Sequence, residues 1–175
     1  MTKLDDYKKI LSLNYEEAVF YLLGKYGPAT VAYFNESTYQ KLLDDEIDYI
    51  RKKNEITRTG EGLYCHHIKE DRALNLSSLS YILRFKYPYS YQEKEELVYC
   101  DLIEHTILHA LISKETNNKF GYPGYHVYLR KNVEEWYILK KKPEKTWQLN
   151  CYHKAFLSKK EAKEILKLMN DIVYN

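Results

Sequence analysis

Apolar positions along the chain recur mostly at helical spacing, and polar caps and glycines cut them into segments. Leu4 to Leu11 carries a short amphipathic pattern. Tyr15 to Tyr26 follows Asn14 as helix cap, has Glu16-Glu17 in its first turn, and stops at Gly27-Pro28. Ala18, Tyr21, Leu22 and Tyr26 form its core face. Leu42, Leu43, Ile47 and Ile50 line a stripe between charged positions, which predicts a helix from about Ser37 to Lys52. Lys53 to Gly62 is polar and glycine-punctuated and reads as a loop.

The middle of the chain changes period. Leu63 to Ile68 reads as a short strand, and Ala73 to Leu76 as a second one after the turn Lys69-Glu70-Asp71-Arg72. Residues 77–95 look like an insertion with a helical turn near Leu79 to Phe85, and Leu97-Val-Tyr-Cys100 is strand-like. Asp101 to Ser113 is helical, with apolar residues around almost its whole circumference, so burial is expected on every side. After the turn Gly121-Tyr-Pro-Gly124, Val127 to Leu139 reads as helix, Lys140 to Lys142 as a solvated face, and Thr146 to Tyr152 as extended or loop. Ser158 with Glu161 makes a capping box for a last helix, whose apolar face is Ala162, Ile165, Leu166, Met169 and Ile172 or Val173.

Composition narrows the class. With 175 residues, 45% apolar and 30% charged, the chain fits one folded domain with a sizeable core. A net charge of +2 and a pI near 8.2 carry no bulk signal for nucleic acid, so a nucleic-acid reading must come from local sites. The 19 tyrosines suit base stacking, yet a Lys-, Tyr-, Ile- and Asn-rich composition also arises from an AT-rich genome. Three cysteines without a Cys-x-x-Cys argue against a disulfide framework. Without a signal-like start or a run of membrane-spanning length, a cytoplasmic soluble protein with no membrane partner is expected.

The chemistry gathers between Gly62 and Ser113, which holds four of the six histidines. His66 and His67 are adjacent, while His105 and His109 are four apart and share one face of the predicted helix. Imidazoles brought together suggest a metal or proton-transfer site. Hydrogen-bonded core histidines are the plain alternative. A structural zinc on Cys65, Cys100, His105 and His109 is a further one, against simple core packing of the two cysteines.

Taken together, His66-His67-Ile, the Leu-Val-Tyr-Cys element and the helical His-x-x-x-His resemble the HNH (ββα-metal) nuclease module, most closely the colicin-type DNases. The resemblance implies that His66, His105 and His109 hold one divalent ion (Zn, Ni, Mn, Co or Mg) and that His67 is the general base. Where the family has an Asn that orients the base, nine residues before the first helical histidine, this chain has Glu96. A carboxylate there would also accept a hydrogen bond from the imidazole but would raise its pKa. Asn75 is an alternative orienting residue, and Arg58 and Arg72 are candidate nucleic-acid contacts.

The expected protein is therefore α+β, mostly helical with a small ββα-metal (HNH-like) core within residues 62–113, N-terminal helices over 1–52 and a C-terminal helical segment over 120–175. The function implied is metal-dependent hydrolysis of DNA. The alternatives are an inactive HNH-like binding module with a protein or nucleic-acid partner, as in phage and mobile-element settings, and a structural zinc protein.

Overall fold

The computed structural model describes residues 2–175 and has a mostly helical α+β fold. α1 (Lys3–Leu11) and α2 (Tyr15–Tyr26) each open on a capping box, Thr2 with Asp5 and Asn14 with Glu17, which satisfies backbone donors that have no partner inside the helix. α3 (Glu36–Leu43) is shorter than the helix predicted over Ser37 to Lys52. Asp44, Asp45 and Glu46 follow it, placing three acidic groups at the negative end of the helix dipole, and Asp45 turns left-handed at φ 58°. Ile50 is still buried, but the chain carries it there outside the helix.

β1 (Tyr64–His67) pairs antiparallel with β2 (Leu97–Cys100), with His66 opposite Val98 and His67 opposite Leu97. The strand expected at Ala73 to Leu76 does not form. Asn75 takes φ 51°, which interrupts extended backbone, and Ala73 and Leu76 are buried as separate core residues. α4 (Leu79–Phe85) lies in the insertion between the strands, where the helical turn was expected.

α5 (Leu102–Glu115) runs through the interior, with 11 of its 14 residues buried. Polar groups fasten its start. Asp101 caps the helix and Glu104 completes the capping box. The Tyr7 hydroxyl of α1 donates to Asp101 at 2.6 Å, while Lys25 and Tyr26 of α2 donate to Glu104 at 2.7 and 3.1 Å. Burial and the neighbouring Asp101 push the Glu104 carboxyl up to about 7.

Beyond Gly121–Gly124 the chain winds as α6 (Arg130–Val133) between π-helical turns at Gly124–Leu129 and Glu134–Ile138, so the predicted helix is present in a wider winding. Thr146 to Tyr152, expected to be extended or loop, belongs instead to α7 (Thr146–Lys154). No side chain caps α7, and packing holds it. Cys151 and Ala155 are buried four residues apart, and Gly62 passes so close that an added Cβ would lie 2.6 Å from the Asn150 carbonyl oxygen. α8 (Lys159–Tyr174) starts at the Ser158–Glu161 capping box and buries Ala162, Ile165, Leu166, Met169 and Val173, as its pattern predicts.

One core joins α1, α2, α5, the π-helical turns and α8, with smaller clusters beneath the sheet and between α3 and α4. Among the described residues no helix is long and apolar enough to cross a membrane.

Candidate metal centre

α5 crosses β1 so that His66 faces His105 and His109. The three ring centroids stand 5.0 to 5.2 Å apart, and one nitrogen from each ring lies within 4.8 Å of the others. Helical spacing aligns the second pair, while the strand-to-helix packing that adds His66 is tertiary.

Neighbouring groups decide which nitrogens are free. The Tyr15 hydroxyl donates its only proton to the Ile68 carbonyl at 2.8 Å, so at its 2.9 Å contact with His66 Nε2 the ring must be the donor. His66 Nδ1 is therefore unprotonated, and it is buried without a hydrogen-bond partner. His109 Nδ1 donates to the Gly121 carbonyl at 3.1 Å, which leaves Nε2 as the second basic nitrogen. His105 Nδ1 is also buried without a partner. Burial pushes His66 well below the ordinary imidazole range and takes His105 down to about 3, so both rings are neutral at pH 7.

His67 points to the other face of β1, against Tyr33 at 4.5 Å between ring centroids. Its Nε2 meets Gln92 Oε1 at 2.9 Å, and the Gln92 amide nitrogen donates to the Leu76 carbonyl at 2.9 Å. That donation fixes the amide, so His67 Nε2 carries a proton and Nδ1 is the basic position. Burial lowers the His67 pKa. Although the two adjacent histidines face opposite ways, a cavity of about 190 Å³ is lined by both, together with His105, His109, Glu70, Asn75 and residues of the π-helical turn. The strand ends at His67, and the 3-10 turn Ile68–Asp71 follows.

The orienting group anticipated at Glu96 is a correction. Glu96 pairs with Lys69 at 3.3 Å, and Gln92 takes the place beside His67. Asn75 lines the cavity, while the hydrogen-bond partner of His67 is Gln92. Neither candidate nucleic-acid arginine lines the cavity, and Arg58 lines a neighbouring groove. Arg58 holds Glu61 at 2.7 Å through two nitrogens and the Tyr26 carbonyl at 2.8 Å, and Arg72 holds Asp71 at 2.9 Å. Cys65 lines the cavity, but burial drives its thiol up to about 12, and Cys100 donates to the Tyr64 carbonyl. Neither cysteine joins the histidine cluster, so the four-ligand Cys₂His₂ set is not assembled.

Three functional groups escaped sequence reasoning: Tyr15, Gln92 and Glu70. The Glu70 carboxylate lies 3.0 Å from His109 Nε2 and 3.8 Å from His66 Nδ1. Burial works to raise its pKa, but the His109 contact and the surrounding imidazoles outweigh that and hold it well below the carboxylate range. Its only sequence signal was a position four residues after His66. No local pattern marks Tyr15 or Gln92.

The residues fit a divalent ion. Buried imidazole nitrogens without hydrogen-bond partners cost about 1–3 kcal/mol each, and coordination satisfies them. Three imidazoles suit Zn, Ni, Co or Mn. No family model, curated protein or solved structure matches this chain. The chemistry has to be read from the side chains themselves.

Proposed function

We propose that the chain is a metal-dependent, HNH-type endonuclease that hydrolyses DNA phosphodiester bonds. The observation that carries this reading is a fourth histidine, His67, lining the same cavity as three histidines able to hold one ion, with its own basic nitrogen unclaimed. The order β1, β2, α5 and the placement of one histidine pair on each side also support it.

His66, His105 and His109 would hold a divalent ion, which would supply the positive charge that a phosphodiester needs as negative charge builds on phosphorus and on the leaving oxygen. The protein groups do the rest. Tyr15 and the Gly121 carbonyl fix the orientation of two ligand rings. His67 Nδ1 takes the proton of the attacking water, while Gln92 keeps the other nitrogen protonated.

Nucleic acid is favoured as substrate by what adjoins the cavity. A groove of about 420 Å³ shares Cys65 with it and is lined by Lys52, Thr57, Thr59 and Trp147. A second of about 430 Å³ shares Ser77 and is lined by Arg51, Lys52 and Tyr49. Cations that meet phosphates beside exposed aromatic faces that stack bases are the usual elements of a nucleic-acid track.

Plasmid nicking with added Mn, Mg, Ni or Zn tests the proposal. His67→Ala should keep its metal and lose about 10²–10⁴-fold in rate, the worth of a general base, whereas His109→Ala should lose metal and activity together. Wild-type protein inert with every ion would overturn the enzyme and leave an HNH-like binding module.

A further inference from the structure

Among the described residues, Glu70 is the one acidic side chain lining the histidine cavity, and no lysine or arginine lines it. Its Oε2 faces His109 Nε2 at 3.0 Å, on a ring whose Nδ1 proton is already given to Gly121. Two acceptors at that distance repel unless a positive charge joins them, either a proton on Nε2 or a cation. The same oxygen lies 3.8 Å from His66 Nδ1, which has no hydrogen-bond partner. Atoms bound about 2.1 Å from one ion stand roughly 3.0 Å apart in cis octahedral positions and roughly 3.4 Å apart in a tetrahedron. The spacings from Glu70 to these two rings bracket those values, so the carboxylate stands at ligand-to-ligand spacing from the nitrogens of His109 and His66, two of the three imidazoles of the cluster.

We propose that Glu70 is a fourth protein ligand, making the centre a three-imidazole, one-carboxylate set for a first-row divalent transition ion. This rests on the metal reading above and deepens it. The carboxylate lowers the net charge of the loaded site from +2 to +1, which suits a buried position. It also separates ions by coordination number. A tetrahedral zinc would have no position left for a phosphate oxygen, whereas a six-coordinate manganese, cobalt or nickel would keep two.

The 3-10 turn Ile68–Asp71 is what brings Glu70 in. Extended backbone after His67 would carry the carboxylate away along the sheet. The turn folds the chain back at the end of β1, placing Glu70 beside the ring that β1 itself contributes.

The test is cobalt(II) titration of the full chain in competition with a chelator, with visible absorption recorded for wild type and Glu70→Gln. The amide keeps the shape of the carboxylate and removes its charge. Glu70→Gln should bind cobalt at least about 10-fold more weakly, with altered absorption bands. If Glu70 only pairs with His109, that pair must break before the ion binds. Glu70→Gln would then bind equally or more tightly with unchanged bands, and the proposal would fail while the metal reading survived. Wild-type protein that binds neither cobalt, zinc nor manganese would overturn both. Should the variant not fold, anomalous diffraction from zinc-loaded wild-type crystals decides the matter. An ion about 2.2 Å from a Glu70 oxygen supports ligation, and one beyond hydrogen-bond distance excludes it.

Discussion

His67 is oriented by a neutral amide, and that choice sets its protonation. A carboxylate beside the ring would favour the imidazolium, whereas Gln92 fixes the tautomer without adding charge, and burial lowers the pKa further. Gln92→Leu should therefore slow nicking about 10-fold or more with metal content unchanged, because the buried Nε2–H loses its acceptor and the tautomer is no longer fixed. Glu96→Gln, which touches only the partly exposed Lys69 pair, should stay within about twofold. Steady-state rates of the two variants measured side by side check this, and the reverse ranking would return the orienting role to Glu96. Counting nine residues back from His105 selects Glu96 in sequence. The partner of His67 instead comes from the insertion, where no periodicity indicates which side chain folds inward.

Helix α5 and the turn after α5 act as one device. Its N-terminal cap, fastened by Tyr7, Lys25 and Tyr26, sets the rotation of the helix, and with it the direction of His105 and His109. The Gly121–Gly124 turn then closes over His109. A Cβ on Gly124 would fall 2.5 Å from Nδ1 and 2.6 Å from Cε1 of that ring, closer than any packed side chain tolerates. Gly124→Ala should displace His109 and weaken metal binding about 10-fold or more while leaving helical content intact. Calorimetric titration beside far-ultraviolet circular dichroism separates the two effects. Unchanged affinity would mean that the π-helical turn yields instead of the ring. The pair at i and i+4 was legible in the sequence, and so was the burial of the helix. The glycine contact was not, because it joins residues whose approach depends on the course of the whole turn.

At the scale of the molecule, the site makes the metal-free protein sensitive to acid. His66, His67 and His105 are held below the ordinary value of 6.5 by burial, His105 at about 3. As pH falls below about 6.5 the unfolded chain binds protons that the folded chain refuses, so this stability is full above that pH and lost as pH falls. Glu70, held low, adds a loss of the same sign below its ordinary value of 4.5. Glu104 works in the opposite sense. Pushed up to about 7, it keeps a proton that the unfolded chain releases, so its contribution is lost as pH rises from 4.5 towards 7. Asp101, also raised by burial, acts in the same sense; three histidines and Glu70 stand against these two carboxylates, and the Tm of chelator-treated protein should fall between pH 7 and pH 4. Zinc should raise Tm at pH 7.5 and lose that effect near pH 5, where protons compete for the imidazoles. Thermal scans with and without zinc check both, and a Tm that climbs on acidification would show the buried carboxylates dominating.

Sequence by itself determined the parts written in local chemistry: the capped starts at Asn14 and Ser158, the buried helix after Asp101, the first strand at the histidine pair, and the four imidazoles as the residues worth watching. Caps and hydrophobic periods act between residues three or four apart, so a single chain displays them. Tertiary structure alone decided that α3 ends at Leu43, that α7 is helical, that Leu97–Cys100 pairs with β1, and that Gln92, Tyr15 and Glu70 enter the site. Each of these depends on which distant backbone or side chain arrives within hydrogen-bond or packing distance. That is a property of the folded arrangement and not of any window along the chain.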